Sequence, residues 1–149
     1  MSENYIEMEV REIQTSEDPR DLPIIVLAEK DGTREFPIFI GHIEARALEE
    51  AVLGSPANPF GFPRRPMTHD LILNTIDGLN ATFTRILITR LENGTFYGAL
   101  ELTNTGGELV RFDSRPSDAM VLAMKRKVPI YVEENVLAEV QRGDFDQPD

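Results

Sequence analysis

The chain has 149 residues, a formal net charge of −11 and no cysteine. That length suits one domain able to bury a core, and the missing cysteine excludes a disulfide framework, a thiol nucleophile and cysteine-ligated zinc. The acid excess opposes tight, non-specific coating of nucleic acid, which depends on Lys and Arg displacing counterions from phosphates.

The first residues, Met1-Ser2-Glu3-Asn4-Tyr5, lack the basic stretch and apolar run of a signal peptide. No segment approaches the ~20 apolar residues of a membrane span. The expectation is a cytoplasmic protein with no membrane association. Tyr5 to Ile13 alternates apolar and charged residues and reads as a strand. Ser16 to Asp21 is a loop, Leu22 to Ala28 an apolar run, and Lys30-Asp31-Gly32 a hairpin turn before the alternating Phe36, Ile38 and Ile40. The period then changes: Ile43, Ala47, Leu48, Ala51 and Val52 fall on one helical face, and Gly54 ends it. Gly54 to Pro66 is a Pro- and Gly-rich loop carrying Phe60 and Phe62. Thr68 is the expected cap of a second helix with Ile72, Ile76 and Leu79 inward and Asn80 after it. Phe83 to Leu91 is a strand, Asn93-Gly94 a tight turn, Thr95 to Leu102 and Leu109 to Asp113 two more strands. Pro116 opens a helix running to about Lys127. A short buried strand, Pro129 to Val132, and a helix near Glu134 to Val140 complete the domain.

The order strand, strand, strand, helix occurs in 6–53 and again in 83–127. Sliding the first copy onto the second without gaps puts Gly32 on Gly106, Ala45 on Ala119, Leu48 on Leu122 and Glu44 on Asp118. The hairpin glycine, strand alternation and helix start stay in phase. The expected fold is therefore α+β, with a mostly antiparallel sheet built from a duplicated strand-strand-strand-helix unit. An intervening helix and a C-terminal strand-helix are added, with helices packed over the sheet faces. Residues 1–140 make one domain, and 141–149 an acidic, disordered tail.

Four clusters stand out: Pro37-Ile38-Phe39-Ile40-Gly41 with Glu44-Ala45, Arg65-Pro66-Met67-Thr68-His69-Asp70-Leu71, Gly94-Thr95-Phe96-Tyr97, and Asp113-Ser114-Arg115-Pro116-Ser117-Asp118-Ala119, followed by Pro129-Ile130-Tyr131-Val132. In order and spacing, from about Met8 to Leu137, they resemble the bifunctional nuclease family. The resemblance implies nuclease activity on RNA and DNA, nucleic acid as a transient substrate, and a homo-oligomer. Some bacterial relatives append a small helical partner-binding motif, which is not expected here. The loop Ser55 to Pro63 and His42 depart from the family pattern.

Hydrolysing a phosphodiester without cysteine calls for carboxylates holding a hard divalent cation, Mg or Mn, and a base or metal to activate water. Glu44, Asp70 and Asp118 are the candidate metal ligands, with Asp70 and Asp118 also catalytic. His69 is the candidate base, since imidazole titrates near neutrality. Arg115 is a phosphate clamp, with Ser117 and Arg65 beside it on the substrate. The same residues have a structural reading. Glu44 and Asp118 would each be third in a helix, where an acid reaches back to the capping N–H. Asp70 would gain from the helix dipole, Arg115 would bridge to Asp113 or Asp118, and His42 would face solvent or bond locally. Lys125-Arg126-Lys127 would complement a helix C-terminus. Phe96, Tyr97 and Tyr131 read as packing rather than base stacking. The leading expectation is a metal-dependent nuclease. The alternative is a non-catalytic, oligomeric binding module, favoured by the net charge and the helix-start placement of every candidate acid.

Overall fold

The computed structural model describes residues 4–54 and 64–143. Of the expected tail, 141–149, residues 144–149 lie outside them, as does most of the loop with Phe60 and Phe62, while Gln141 belongs to the last helix. Eleven elements follow in chain order: β1 (Tyr5–Gln14), β2 (Ile24–Glu29), β3 (Glu35–Phe39), α1 (His42–Leu53), α2 (Thr68–Gly78), β4 (Thr82–Glu92), β5 (Thr95–Thr103), β6 (Leu109–Ser114), α3 (Pro116–Arg126), β7 (Ile130–Glu133) and α4 (Glu134–Gln141). The class is the expected α+β. One seven-stranded sheet has the order β3-β2-β1-β7-β4-β5-β6, and every pairing is antiparallel except β4 with β7.

The two meanders occupy opposite halves of this sheet, as a duplicated unit requires, and β7 is wedged between them. Turn chemistry fixes each hairpin. Asn93 and Gly94 both take positive φ, 51° and 78°, the conformation a tight strand connection demands. Register then sorts the side chains. Met8, Ile86, Ile88, Leu100, Ile130 and Val132 share one face, and every buried apolar residue of the helices joins their core. Helices thus supply the core of one face rather than both. The second face carries Leu87 and Ala99, outside that core, beneath a polar and aromatic layer. There Arg85 lies over Tyr5 and Tyr131, 5.4 and 5.1 Å from the ring centroids, and shares the buried Glu101 with Arg111. Tyr131 and Tyr97 are packing residues under arginines, and Phe96 stacks on Phe36 at 5.6 Å.

Three local expectations are corrected. The cap of α2 is Met67, with Thr68 the first helical residue. The inward face of α2 is His69, Leu73 and Ile76, leaving Leu79 71% exposed. In α1 the buried residues are Ala45 and Leu48, while Ile43 and Val52 point outward. In both helices a polar residue of the first turn, His69 or Glu44, is turned toward the α3 N-terminus. That orientation rotates the face away from the one counted by apolar spacing. No helix among the described residues is long and apolar enough to cross a membrane.

Candidate active site

Pro116 starts α3 because its fixed φ suits a first helical position and its missing N–H costs nothing there. This puts Asp118 third, where a reach back to the cap was the structural expectation. Its oxygens go elsewhere. Oδ1 lies 3.0 Å from His69 Nε2, and Oδ2 accepts from Arg115 Nε at 2.8 Å. The reach back is made by Asp70 instead, whose Oδ2 accepts from the Met67 N–H at 3.0 Å. Of the three helix-start acids, Asp70 is the one that reaches back to its capping residue, and Asp118 is the one that meets an imidazole from another helix.

His69, in the first turn of α2, is buried, with only a tenth of its side chain exposed. Nε2 faces Asp118, and Nδ1 has no protein partner among the described residues. Asp118 is held below the ordinary aspartate pKa, first by the hydrogen bond to His69. Burial opposes this, and the Arg115 guanidinium adds to it. An ionised Asp118 accepts from Nε2–H and leaves the lone pair of the imidazole on Nδ1.

Arg115 joins this pair to α1. Its Nη2 lies 2.8 Å from Asp118 Oδ2 and 3.4 Å from Glu44 Oε2. Glu44 and Asp118 are equivalent positions of the duplicated unit, so one arginine spans both copies of one site. The position equivalent to Arg115 in the first copy is Gly41. There the Glu44 carboxylate folds back so closely that a Cβ would meet it at 2.1 Å. Asp113, the other partner considered for Arg115, is not used. Nη1 of Arg115 has no protein partner among the described residues, and its side chain is 64% exposed. Beyond Arg115 opens a cleft of about 310 Å³, bounded by Glu44, Ser117, Thr95, Phe96 and the ends of β3 and α1.

The other candidates are distributed differently. Asp70 accepts from Lys125 Nζ at 2.9 Å, and Arg64 stands 3.7 Å away. Its pKa is lowered first by Lys125 and then by the Met67 N–H. Lys125, expected only to complement the helix C-terminus, is thus the ion-pair partner of Asp70. Arg126 is likewise paired, with Asp77. Ser117 lines the cleft, whereas Arg65 is exposed and has no ion-pair or hydrogen-bond partner among the described residues. His42 does not bond locally: its Nε2 lies 3.1 Å from the carbonyl oxygen of Pro19, in the loop between β1 and β2.

Glu44, Asp70 and Asp118 do not gather as ligands of one ion in this arrangement. Asp70 is engaged by Lys125, and Asp118 by His69 and Arg115. Among the described residues no three His, Asp or Glu side chains are grouped to hold a metal.

Comparison with known proteins bears on this cluster. An uncharacterized protein found in two strains of Mycobacterium tuberculosis is 38% identical over 123 residues, covering 83% of this chain and 69% of its own length. Bifunctional nuclease 1 of Arabidopsis thaliana is 28% identical over 113 residues, 74% of this chain and 33% of the plant protein. The bifunctional nuclease domain matches residues 25–143, which include His69, Arg115 and Asp118, and the chain belongs to that family.

Proposed function

We propose that this chain is a nuclease hydrolysing phosphodiester bonds of RNA and DNA, with His69, Asp118 and Arg115 as its working centre. The observation that carries the reading is the 3.0 Å contact between His69 and Asp118, with Arg115 on the other oxygen of the same carboxylate. Two helices and a preceding strand end are spent on bringing an imidazole, a carboxylate and a guanidinium together. Asp118 orients His69 and favours the tautomer with its proton on Nε2. Nδ1 then takes a proton from water as the hydroxide forms its bond to phosphorus. The bond from phosphorus to the leaving oxygen breaks, and that oxygen takes a proton from solvent. Arg115 Nη1 holds a non-bridging phosphate oxygen and opposes the charge that develops there.

Asp70 and Asp118 each already hold a cation, Lys125 or Arg115, with which Mg²⁺ or Mn²⁺ would compete. The test is cleavage of labelled single-stranded RNA and DNA with Mg²⁺, with Mn²⁺ and with EDTA, beside Asp118→Ala and His69→Ala. Loss of cleavage in both variants with retained folding supports the centre. Cleavage that survives both substitutions overturns it. A cytoplasmic location is part of this proposal, in keeping with a chain that has no cysteine.

A second reading, an oligomeric binding module, is favoured by a different surface. Leu71 of α2, Leu79 at its C-cap and Phe112 of β6 are exposed around one apolar groove beside the sheet edge, and exposed apolar patches mark association sites. Light scattering of the purified chain tests the homo-oligomer, and absence of cleavage under every metal condition would put this reading first.

A further inference from the structure

The cleft on the far side of Arg115 has features that the hydrolytic centre leaves unused. It lies where the first turns of α1 and α3 meet: the Glu44 carboxylate folds back over the α1 start, whereas the α3 N-cap, Arg115, makes no side-chain capping hydrogen bond. Uncapped helix N-termini present N–H groups and a positive field to an anion. Ser117 supplies an independent sign. It is 8% exposed, lines the cleft, and has no hydrogen-bond partner among the described residues. A buried hydroxyl without a partner is costly, and a ligand oxygen would relieve it. The rest of the wall is different in kind: Leu22, Ile38, Phe39 and Phe96 make it apolar and aromatic.

We propose that this cleft binds one nucleotide unit, with its phosphate at Arg115 Nη1 and Ser117 Oγ and its base against the apolar wall. An inorganic anion would use only the polar end, and an uncharged aromatic molecule only the wall. A nucleoside monophosphate uses both, and a volume of about 310 Å³ falls at the small end of ligand sites. Glu44 faces the same space. Its carboxylate repels phosphate but accepts from a sugar hydroxyl, which orients the ligand with its phosphate away from α1. The side chains of Leu22, Ile38 and Phe39 carry no hydrogen-bonding group, so this wall is indifferent to base identity. The inference rests on the nucleic-acid role of Arg115 proposed above, and not on hydrolysis.

The test is calorimetric titration of the full chain, in EDTA, with adenosine 5′-monophosphate, adenosine and inorganic phosphate. The monophosphate is expected to bind at least about tenfold more tightly than either fragment, since each lacks one set of contacts. Ser117→Ala should weaken it about tenfold through loss of one charge-assisted hydrogen bond. Leu22→Trp, at an exposed position on the cleft wall, should abolish binding with an unchanged melting temperature. Phosphate binding as tightly as the monophosphate would reduce the cleft to an anion site and overturn the inference, as would monophosphate binding unmoved by both substitutions. Monophosphate binding without cleavage of RNA or DNA would sustain the inference while removing the nuclease. Cleavage without monophosphate binding would do the reverse.

Discussion

His69 Nε2 and Asp118 Oδ1 lie 3.0 Å apart, although the residues come from the first turns of two different helices, α2 and α3. In the proposed hydrolysis this contact makes the imidazole an oriented base. Asp118→Asn keeps the volume but removes the charge that stabilises a protonated imidazole. It is expected to lower cleavage by about 10²–10⁴-fold, the range of general-base contributions. His69→Gln should fall as far, and the double variant little further, because residues acting as a unit are not additive. Single-turnover rates on RNA and DNA check this. Additive losses would place the two residues in separate roles.

Arg115 reaches Asp118 and Glu44 at once, and its side chain stays 64% exposed. A lysine keeps the charge but presents one compact ammonium, which cannot hold both acids and a phosphate oxygen in fixed directions. Arg115→Lys is expected to raise the apparent dissociation constant for a short single strand about tenfold. It should also lower the cleavage rate, since Asp118 loses a partner. Fluorescence anisotropy and a cleavage time course measure the two effects. Unchanged binding would remove Arg115 from the substrate contact.

The acids of this region set how stability depends on pH. Asp70 is depressed below its ordinary value of 3.8, first by Lys125, and Asp118 below the same value, first by His69. A carboxylate depressed in the folded state contributes stability above its unfolded pKa and loses it as pH falls through the folded one. Asp70→Asn removes that contribution beforehand. The melting temperature of the natural chain should therefore exceed that of the variant by most at neutral pH, and the gap should narrow as the pH falls below the ordinary aspartate value of 3.8 and through the lower folded one. A gap that persists undiminished in acid would mean that Asp70 stabilises by shape rather than charge.

Much of the fold was readable because it is local. Asn93-Gly94, Pro116, the alternation in β1 and the change of period at Gly41 each act within a few residues, and the phase between the two copies needed only their order. The position of β7 between the halves was not readable, because strand pairing is decided by burial of the whole sheet. Apolar spacing put Ile43 and Leu79 inside, since it scores residue type and cannot register that Glu44 and His69 turn toward another element. Among the site residues, Arg115 with Asp118 is a neighbour relation visible in the spacing. The link from Lys125 to Asp70 joins two helices across a turn of packing that no local pattern encodes. Capping logic credits Glu44 and Asp118 and passes over Asp70, because taking Thr68 as the α2 cap makes Asp70 second in the helix; with Met67 as the cap it is third and accepts from the Met67 N–H.

Gly98 shows how tightly the sheet controls this centre. A Cβ there would lie 3.0 Å from the Ser114 carbonyl oxygen and 3.3 Å from the Cα and N of Pro116, all backbone atoms that cannot swing aside. β5 therefore sets the place where β6 turns into α3, one residue from Arg115 and two from Asp118. Gly98→Ala is expected to destabilise the chain by about 1–3 kcal/mol, the usual cost of overpacking. It should also reduce cleavage beyond what the lost stability explains, by shifting the α3 start away from His69. Gly78→Ala is the control. It ends α2, where an added Cβ meets nothing within 4 Å, and alanine there should stabilise by about 0.4–1 kcal/mol without altering the rate. Urea unfolding and cleavage rates measured below the transition separate the two glycines. Equal behaviour of both variants would mean that the sheet does not position the site through Gly98.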